Sequence, residues 1–312
     1  MPVAAVFPGQ GSFTLGCAQA WADDDADGVL ASVSGAAGFD VVAAAEDPAA
    51  GRDTAVAQPV IFGVSIAAWR ALRRRGFAPD LVAGHSLGEY SAAAAAGVLP
   101  VDAAARVVAA RGVATARACR ERSGGMAAVL KLAAAEVEEL VEGIDGLVIA
   151  NDNSPGQIVV AGDDRAIDVA RSAVDALGGR LVPLDVEGAF HSPAMAPAVD
   201  AVRAAFAAEQ PADPVFPLIS GSRARVVQTA ADAVTSLVDG ILSAVRWRDV
   251  QLLLERRGIT DLVEVGPGRV LAGLAKRTVP ALRVHSVAVP EAVGEVLERL
   301  SVTGGAQPAP ST

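Results

Sequence analysis

The stretch Leu81-Val82-Ala83-Gly84-His85-Ser86-Leu87-Gly88-Glu89-Tyr90-Ser91-Ala92-Ala93-Ala94-Ala95-Ala96 decides the reading of this chain. It opens with a short apolar run, the mark of a buried strand, and ends in alanine-rich sequence, the mark of a helix. Between them stands G-x-S-x-G, the pattern of a nucleophile elbow. Its physics is steric. A serine on a sharp strand-to-helix turn takes strained backbone angles, and small neighbours let the chains approach closely. The helix that follows points free N–H groups and a partial positive charge at the reacting centre. The competing reading is a glycine-rich turn capped by Ser86. The strand before and the helix after favour the elbow.

Outward from this stretch, strands and helices alternate. Val3 to Phe7 reads as a buried strand stopped by Pro8-Gly9-Gln10-Gly11. Residues 21–53 are acidic and irregular. Helix is predicted from Ala57 to Arg75, from Glu89 to Ala96, and on to about Arg120. Such alternation marks an α/β fold, here a hydrolase-like large domain with a parallel sheet. From 123 to 187 the order becomes β-α-β-β-α-β, that of a ferredoxin-like unit. Its strands are Met126–Leu130, Leu147–Ala150, Gln157–Ala161 and Arg180–Val186, with Asn151 to Gly156 as a turn. The large domain is therefore predicted to be discontinuous, 1–122 and 188–303, with the small one inserted. Later strands are predicted at Val215–Ser220 and Asp261–Val265. Residues 304–312 read as a disordered tail.

Composition bounds the function. The 312 residues are 52% hydrophobic and 20% charged, too apolar for a disordered chain and enough for a sizeable core. Acidic residues outnumber basic ones, 36 to 26, for a net charge of −10. That argues against nucleic acid and anionic membranes as partners. Two cysteines, Cys17 and Cys119, are too few for a disulfide framework and point to a reducing cytoplasm. The start lacks the pattern of a signal peptide. No apolar stretch free of charges and helix breakers is long enough to span a bilayer.

Serine needs a base, and the chain has three histidines. His85 adjoins the serine, and its side chain should leave the opposite side of the elbow. His285 lies in an apolar run and reads as structural. His191, in the loop Gly188-Ala189-Phe190-His191-Ser192-Pro193, is the better candidate. Arg111 lies in an otherwise apolar helix. A buried arginine needs an anion, either a structural acid or a ligand carboxylate gripped by two parallel hydrogen bonds. Gln10, past the end of the first strand, sits where active sites of open α/β sheets form. Its backbone N–H and that of Leu87 are candidate oxyanion donors. No dinucleotide, CxxC or Walker pattern appears, so no cofactor or metal is expected. A serine hydrolase fits the elbow equally, with Asp163, Asp175 or Asp185 as the triad acid.

Taken together, Pro8-Gly9-Gln10-Gly11-Ser12, Ala57-Gln58-Pro59, Gly84-His85-Ser86-Leu87-Gly88-Glu89-Tyr90 and Arg111-Gly112 resemble one known family. So do Gly125 to Val129, Asn151 to Gln157, Gly188 to Pro193, Val245-Arg246-Trp247 and Glu264 to Gly268. The chain resembles the malonyl-CoA:acyl-carrier-protein transacylases, stand-alone acyltransferases of fatty acid and polyketide synthesis. The resemblance implies Ser86 as the acylated nucleophile and His191 as its base. It implies Gln10 and Leu87 as the oxyanion hole and Arg111 as the grip on the malonyl carboxylate. Gln58, Met126, Asn151 and Phe190 would line the acyl pocket. A backbone carbonyl would orient the histidine. The family's Gln-Leu-x-x-Pro-Val stretch is Gly240 to Val245 here, without the glutamine and proline, so that role falls to Gly240. Between Gly11 and Ala57 the match is poor and no role carries over. Malonyl-CoA and an acyl carrier protein would be the partners, with a branched unit such as methylmalonyl as the alternative substrate. The carrier is usually acidic, so docking is expected on a local basic cluster, Arg73 to Arg75 or Lys276 and Arg277.

Overall fold

Phe7 and Gly84 end two fully buried strands that run side by side in parallel, Ala4 opposite Leu81 and Phe7 opposite Gly84. The computed structural model describes residues 2–304 of the chain. Its first part comprises β1 (Val3–Phe7), α1 (Gln19–Ala22), α2 (Val29–Ala37), α3 (Val41–Ala44), α4 (Thr54–Arg74), β2 (Leu81–Gly84), α5 (Gly88–Ala95) and α6 (Val101–Glu121). Next come β3 (Gly125–Leu130), α7 (Ala134–Gly143), β4 (Val148–Ser154), β5 (Gln157–Gly162), α8 (Asp164–Ala176) and β6 (Arg180–Pro183). The last part holds α9 (Ala196–Ala207), β7 (Leu218–Ser220), β8 (Arg225–Val227), α10 (Ala230–Asp239) and α11 (Trp247–Arg256). It closes with β9 (Asp261–Val265), α12 (Val270–Thr278), β10 (Arg283–Val287) and α13 (Glu291–Gly304).

The large sheet has the order β10-β9-β1-β2-β7-β8, parallel except for the β7–β8 pair. Helices cover both faces, which is why β1, β2 and β9 are buried throughout. The parallel strands end on one side, and the loops after β1, β2 and β9 gather there. The second sheet is antiparallel, β4-β5-β3-β6, the ferredoxin-like order expected. Alternation along β3 splits its side chains. Ala127 and Val129 pack under α7 and α8, whereas Met126 and Ala128 join Val159, Ala161 and Ala189 on the opposite face. That face is tied to the large unit by backbone. Val245 donates to Ala150 O and accepts from Asp152 N, both at 2.9 Å.

Three readings need correction. Residues 21–53 are not irregular. Their acids cap short helices: Asp25 accepts from Val29 N and Leu30 N, and Asp40 from Val42 N and Ala43 N. Asn151 to Ser154 are not a turn but the end of β4, whose bulges disguise the strand period. The strand expected from Val215 shrinks to Leu218–Ser220, because Pro217 has no N–H for the ladder. Residues 305–312, most of the predicted tail, lie outside the described residues, and Gly304 closes α13. Among the described residues one helix, α4, is long and apolar enough to cross a membrane, but 83% of its apolar 18-residue stretch is buried inside the molecule. It starts at Thr54 rather than Ala57 because Asp53 caps it. Gly112 lets α6 press against its first turn, since a Cβ there would sit 3.0 Å from Thr54 O.

The elbow depends on two glycines. A Cβ at Gly84 would lie 2.0 Å from Gly88 C, and one at Gly88 would lie 2.0 Å from Phe7 O. Gly88→Ala should therefore lower stability by about 3 kcal/mol, the upper range of overpacking. Gly273→Ala, in α12 with open space around it, should raise stability by about 0.5–1 kcal/mol. Chemical denaturation of the two variants beside the parent checks both signs.

Candidate active site

Ser86 adopts φ 53°, the left-handed region that non-glycine residues avoid. The turn is held there by His85 N donating to Phe7 O and Glu89 N donating to Ser86 O, each at 3.0 Å. The hydroxyl thus emerges at the N-terminus of α5, beside the loop after β1. His191 reaches it from the segment between β6 and α9, with Nε2 2.8 Å from Ser86 Oγ. His191 also has positive φ, 58°. Gly188 lets this segment cross α6, since a Cβ there would lie 2.2 Å from Cys119 Sγ. Ser192 holds the segment by donating to Ala189 O at 2.6 Å and accepting from Ala194 N at 3.1 Å.

The other imidazole nitrogen fixes the tautomer. Nδ1 lies 2.9 Å from Gly240 O and 2.9 Å from Ser243 O. Carbonyls only accept, so Nδ1 carries the proton and Nε2 is left to accept from the Ser86 hydroxyl. Burial, then the charges of Arg111 and His85, pull the His191 pKa down to about 4, against the two carbonyls. The imidazole is neutral at pH 7. Gly240 stands where the sequence put it. Ser243 is an addition, and no residue-type signal marks a backbone acceptor.

Arg111 is 5% exposed, and its fork spans the site. Nη1 donates to Gln58 Oε1 at 2.6 Å and Nη2 to Ser86 Oγ at 3.3 Å. Gln58 is held in turn by donating to Thr54 and Thr115 hydroxyls. Among the described residues Arg111 forms no ion pair, so the structural-acid reading gives way. Glu89, the buried carboxylate beside the elbow, accepts from Gly221 N at 2.7 Å, and burial pushes it up to about 7. Arg111 Nε has no partner.

These groups open onto one cavity of about 530 Å³. Gln10, Leu87, Gln58, Met126, Asn151 and Phe190 all line it, as do Ser86, Arg111 and His191. Its walls come from both sheets. The Gln10 side chain donates to Gly51 O at 3.1 Å, which anchors the loop after β1. His85 departs from expectation in part. Nε2 turns from the serine to Asn153 Oδ1 at 2.8 Å and the ring packs edge-on to Trp247, yet it still borders the cavity. His285 bonds Asp261 inside the large sheet. Among the described residues no cluster of three His, Cys, Asp or Glu is placed to hold a metal.

The family described as the acyl transferase domain matches residues 6–296. The malonyl CoA-acyl carrier protein transacylase of Salmonella typhimurium is 35% identical over 94% of this chain and 98% of its own. The chain belongs to the acyl transferase family, among the malonyl CoA-acyl carrier protein transacylases. Two solved structures agree. The acyl-carrier-protein S-malonyltransferase of Bartonella henselae superposes with TM-score 0.91 at 34% identity, covering 96% of this chain and all of that one. A malonyl-transacylase in complex with its type II polyketide synthase acyl-carrier protein gives TM-score 0.91 at 33% identity with the same coverage.

Within this transacylase none of the hydrolase-type acids is bonded to His191, although Asp185 borders the cavity. Asp163 caps α8 through Ala166 N, Asp185 pairs with Arg52 at 2.7 Å, and Asp175 lies on α8. Two carbonyls occupy the place of a triad carboxylate. A neutral serine-directed organophosphorus reagent should modify Ser86 at a rate set by unprotonated His191. The rate should hold from pH 8 to about pH 5 and fall through the His191 pKa of about 4. A midpoint near 6.5, the ordinary imidazole value, would contradict the burial argument.

Proposed function

We propose that this chain transfers a malonyl group from coenzyme A to the phosphopantetheine thiol of an acyl carrier protein, through an acyl-enzyme at Ser86. The observation that carries the reading is a guanidinium that pairs with no carboxylate among the described residues, 3.3 Å from a serine hydroxyl that also meets a neutral imidazole at 2.8 Å. Ser86 Oγ attacks the thioester carbonyl while His191 Nε2 takes its proton. The tetrahedral oxyanion lies on the N–H groups of Gln10 and Leu87. Collapse expels the coenzyme A thiolate, which takes the proton back from His191. The carrier thiol then runs the same steps in reverse, a ping-pong cycle. Nothing in it needs a further cofactor, since both thiols come with the substrates.

Arg111 would hold the free carboxylate of the acyl group. Two charge-assisted hydrogen bonds both select a dicarboxylic unit and hold it in one pose. Phe190 and Met126 add bulk on the acyl side of the cavity, which favours malonyl over a methyl-branched unit by the 1–3 kcal/mol or so that one methyl decides. The product would serve fatty acid or polyketide synthesis. Residues 123–187 are proposed as the inserted domain, carrying Met126 and Asn151 to the cavity. Two free thiols, Cys17 and Cys119, suit a cytoplasmic setting.

For the carrier protein, geometry favours one of the two basic clusters. Leu271 and Leu274 of α12 line the cavity, and Lys276 and Arg277 stand exposed at the end of that helix. Arg277 also reaches Gln157, another cavity residue, at 3.3 Å. Arg73 to Arg75 lie about 25 Å from Gln58 along α4. There Arg73 lies over the Trp69 and Phe216 rings and Arg74 pairs with Asp27.

Intact-protein mass spectrometry after mixing with malonyl-CoA should find a malonyl adduct on the parent and none on Ser86→Ala. Arg111→Ala should lower the preference for malonyl over acetyl about 10–100-fold, the worth of hydrogen bonds to a charged group. Failure of the parent to form any acyl-serine would sink the reading. At low salt, Lys276→Glu with Arg277→Glu should raise the KM for the carrier protein severalfold, and Arg74→Glu should leave it alone. The opposite pattern would move docking to the end of α4.

A further inference from the structure

Tyr90 is the only tyrosine in the chain, and none of the chemistry above uses it. It is 4% exposed, on the first turn of α5, four residues after the serine. Its ring faces the Arg111 guanidinium, with Cζ 5.0 Å from the ring centroid. The ring is itself held. Phe206 stacks on it at 6.1 Å and 29°, and the phenol donates to Leu237 O at 2.9 Å.

Arg111 poses a physical problem. A buried cation is unfavourable without an anion, yet a resident carboxylate would occupy the N–H groups meant for substrate. An aromatic face resolves this. Its quadrupole attracts the cation while offering no acceptor to the N–H edges. Gln58 takes one Nη1 proton, and Nε is left without a partner.

We propose that Tyr90 is a specificity-determining positioning residue, whose ring holds the Arg111 guanidinium oriented and without a carboxylate partner beside Ser86. It thereby sets the choice of a free-carboxylate acyl group over a neutral one. The proposal rests on the reading of Arg111 as partner of the acyl carboxylate. The hydroxyl also feels the charge of Arg111, and it has a further task. It ties α5 to α10, the helix capped at its C-terminus by Gly240, whose carbonyl bonds His191. Phenylalanine removes the tie and keeps the ring face.

The test reads second-order rate constants for Ser86 acylation by malonyl-CoA and by acetyl-CoA, measured on intact protein by mass spectrometry. The proteins are the parent, Arg111→Ala, Tyr90→Phe, Tyr90→Leu and a form with trifluorophenylalanine at position 90. Fluorination weakens the ring quadrupole and keeps the shape of phenylalanine, so it serves even where Tyr90→Leu does not fold. The malonyl-to-acetyl ratio should stay at the parent value in Tyr90→Phe. It should fall in the fluorinated form, and by about tenfold or more in Tyr90→Leu. An unchanged ratio in the fluorinated form, or equal loss of both rates in Tyr90→Leu, would show a ring that only fills space and overturn the proposal. With the Arg111→Ala ratio lowered, that outcome removes Tyr90 alone. An Arg111→Ala ratio equal to the parent's removes the reading of Arg111 and the proposal with it.

Discussion

A buried positive charge that forms no ion pair among the described residues organises this molecule. Arg111 meets a glutamine oxygen, a serine oxygen and an aromatic face, and each accepts or attracts without cancelling its charge. The consequence spreads outward. Burial, together with this charge, keeps His191 neutral, so Nε2 is free to accept from the Ser86 hydroxyl. A carboxylate orienting His191 would change both conditions. It would raise the imidazole pKa and set a negative charge near the Arg111 guanidinium. Two backbone carbonyls fix the same tautomer without a full charge.

The fold brings these groups together by close backbone approach. Strand ends of a parallel sheet converge on one side, and glycine decides how closely. Gly84 closes the elbow on Gly88, Gly88 presses it against β1, Gly112 presses α6 onto α4, and Gly188 carries the histidine segment over Cys119. Each contact excludes a Cβ, and each lies one or two residues from a group at the cavity or on the strand that leads to it. The second sheet supplies the far wall. Its position follows from backbone bonds between β4 and Val245, and from the Gln251 side chain donating to Asn153 O at 2.9 Å.

Much of this is legible in the sequence, for identifiable reasons. The elbow is local, and its strand and helix flank it directly. His191 follows from scarcity, because three histidines leave few choices. Arg111 stands out as a charge in an apolar helix, although residue spacing alone left its anion open. Other features are hidden for physical reasons. Ser243 acts through a carbonyl that every residue possesses. The acids of 21–53 read as loop because a capping aspartate and a loop aspartate look alike in one dimension. The bulges of β4 break the period-two pattern by which Asn151 to Ser154 would be recognised as strand. Arg73 and Arg74 read as a docking cluster, and a linear sequence does not reveal that they are engaged with aromatic rings and Asp27.

The most direct test is a crystal structure of the malonyl-Ser86 acyl-enzyme, trapped by rapid freezing after mixing with malonyl-CoA in the absence of a thiol acceptor. The account places the free carboxylate on the Arg111 fork, within hydrogen-bond distance of two guanidinium nitrogens, with the ring of Tyr90 still beneath it. A malonyl carboxylate turned to solvent, with Arg111 still on Gln58 and the serine oxygen, would contradict it.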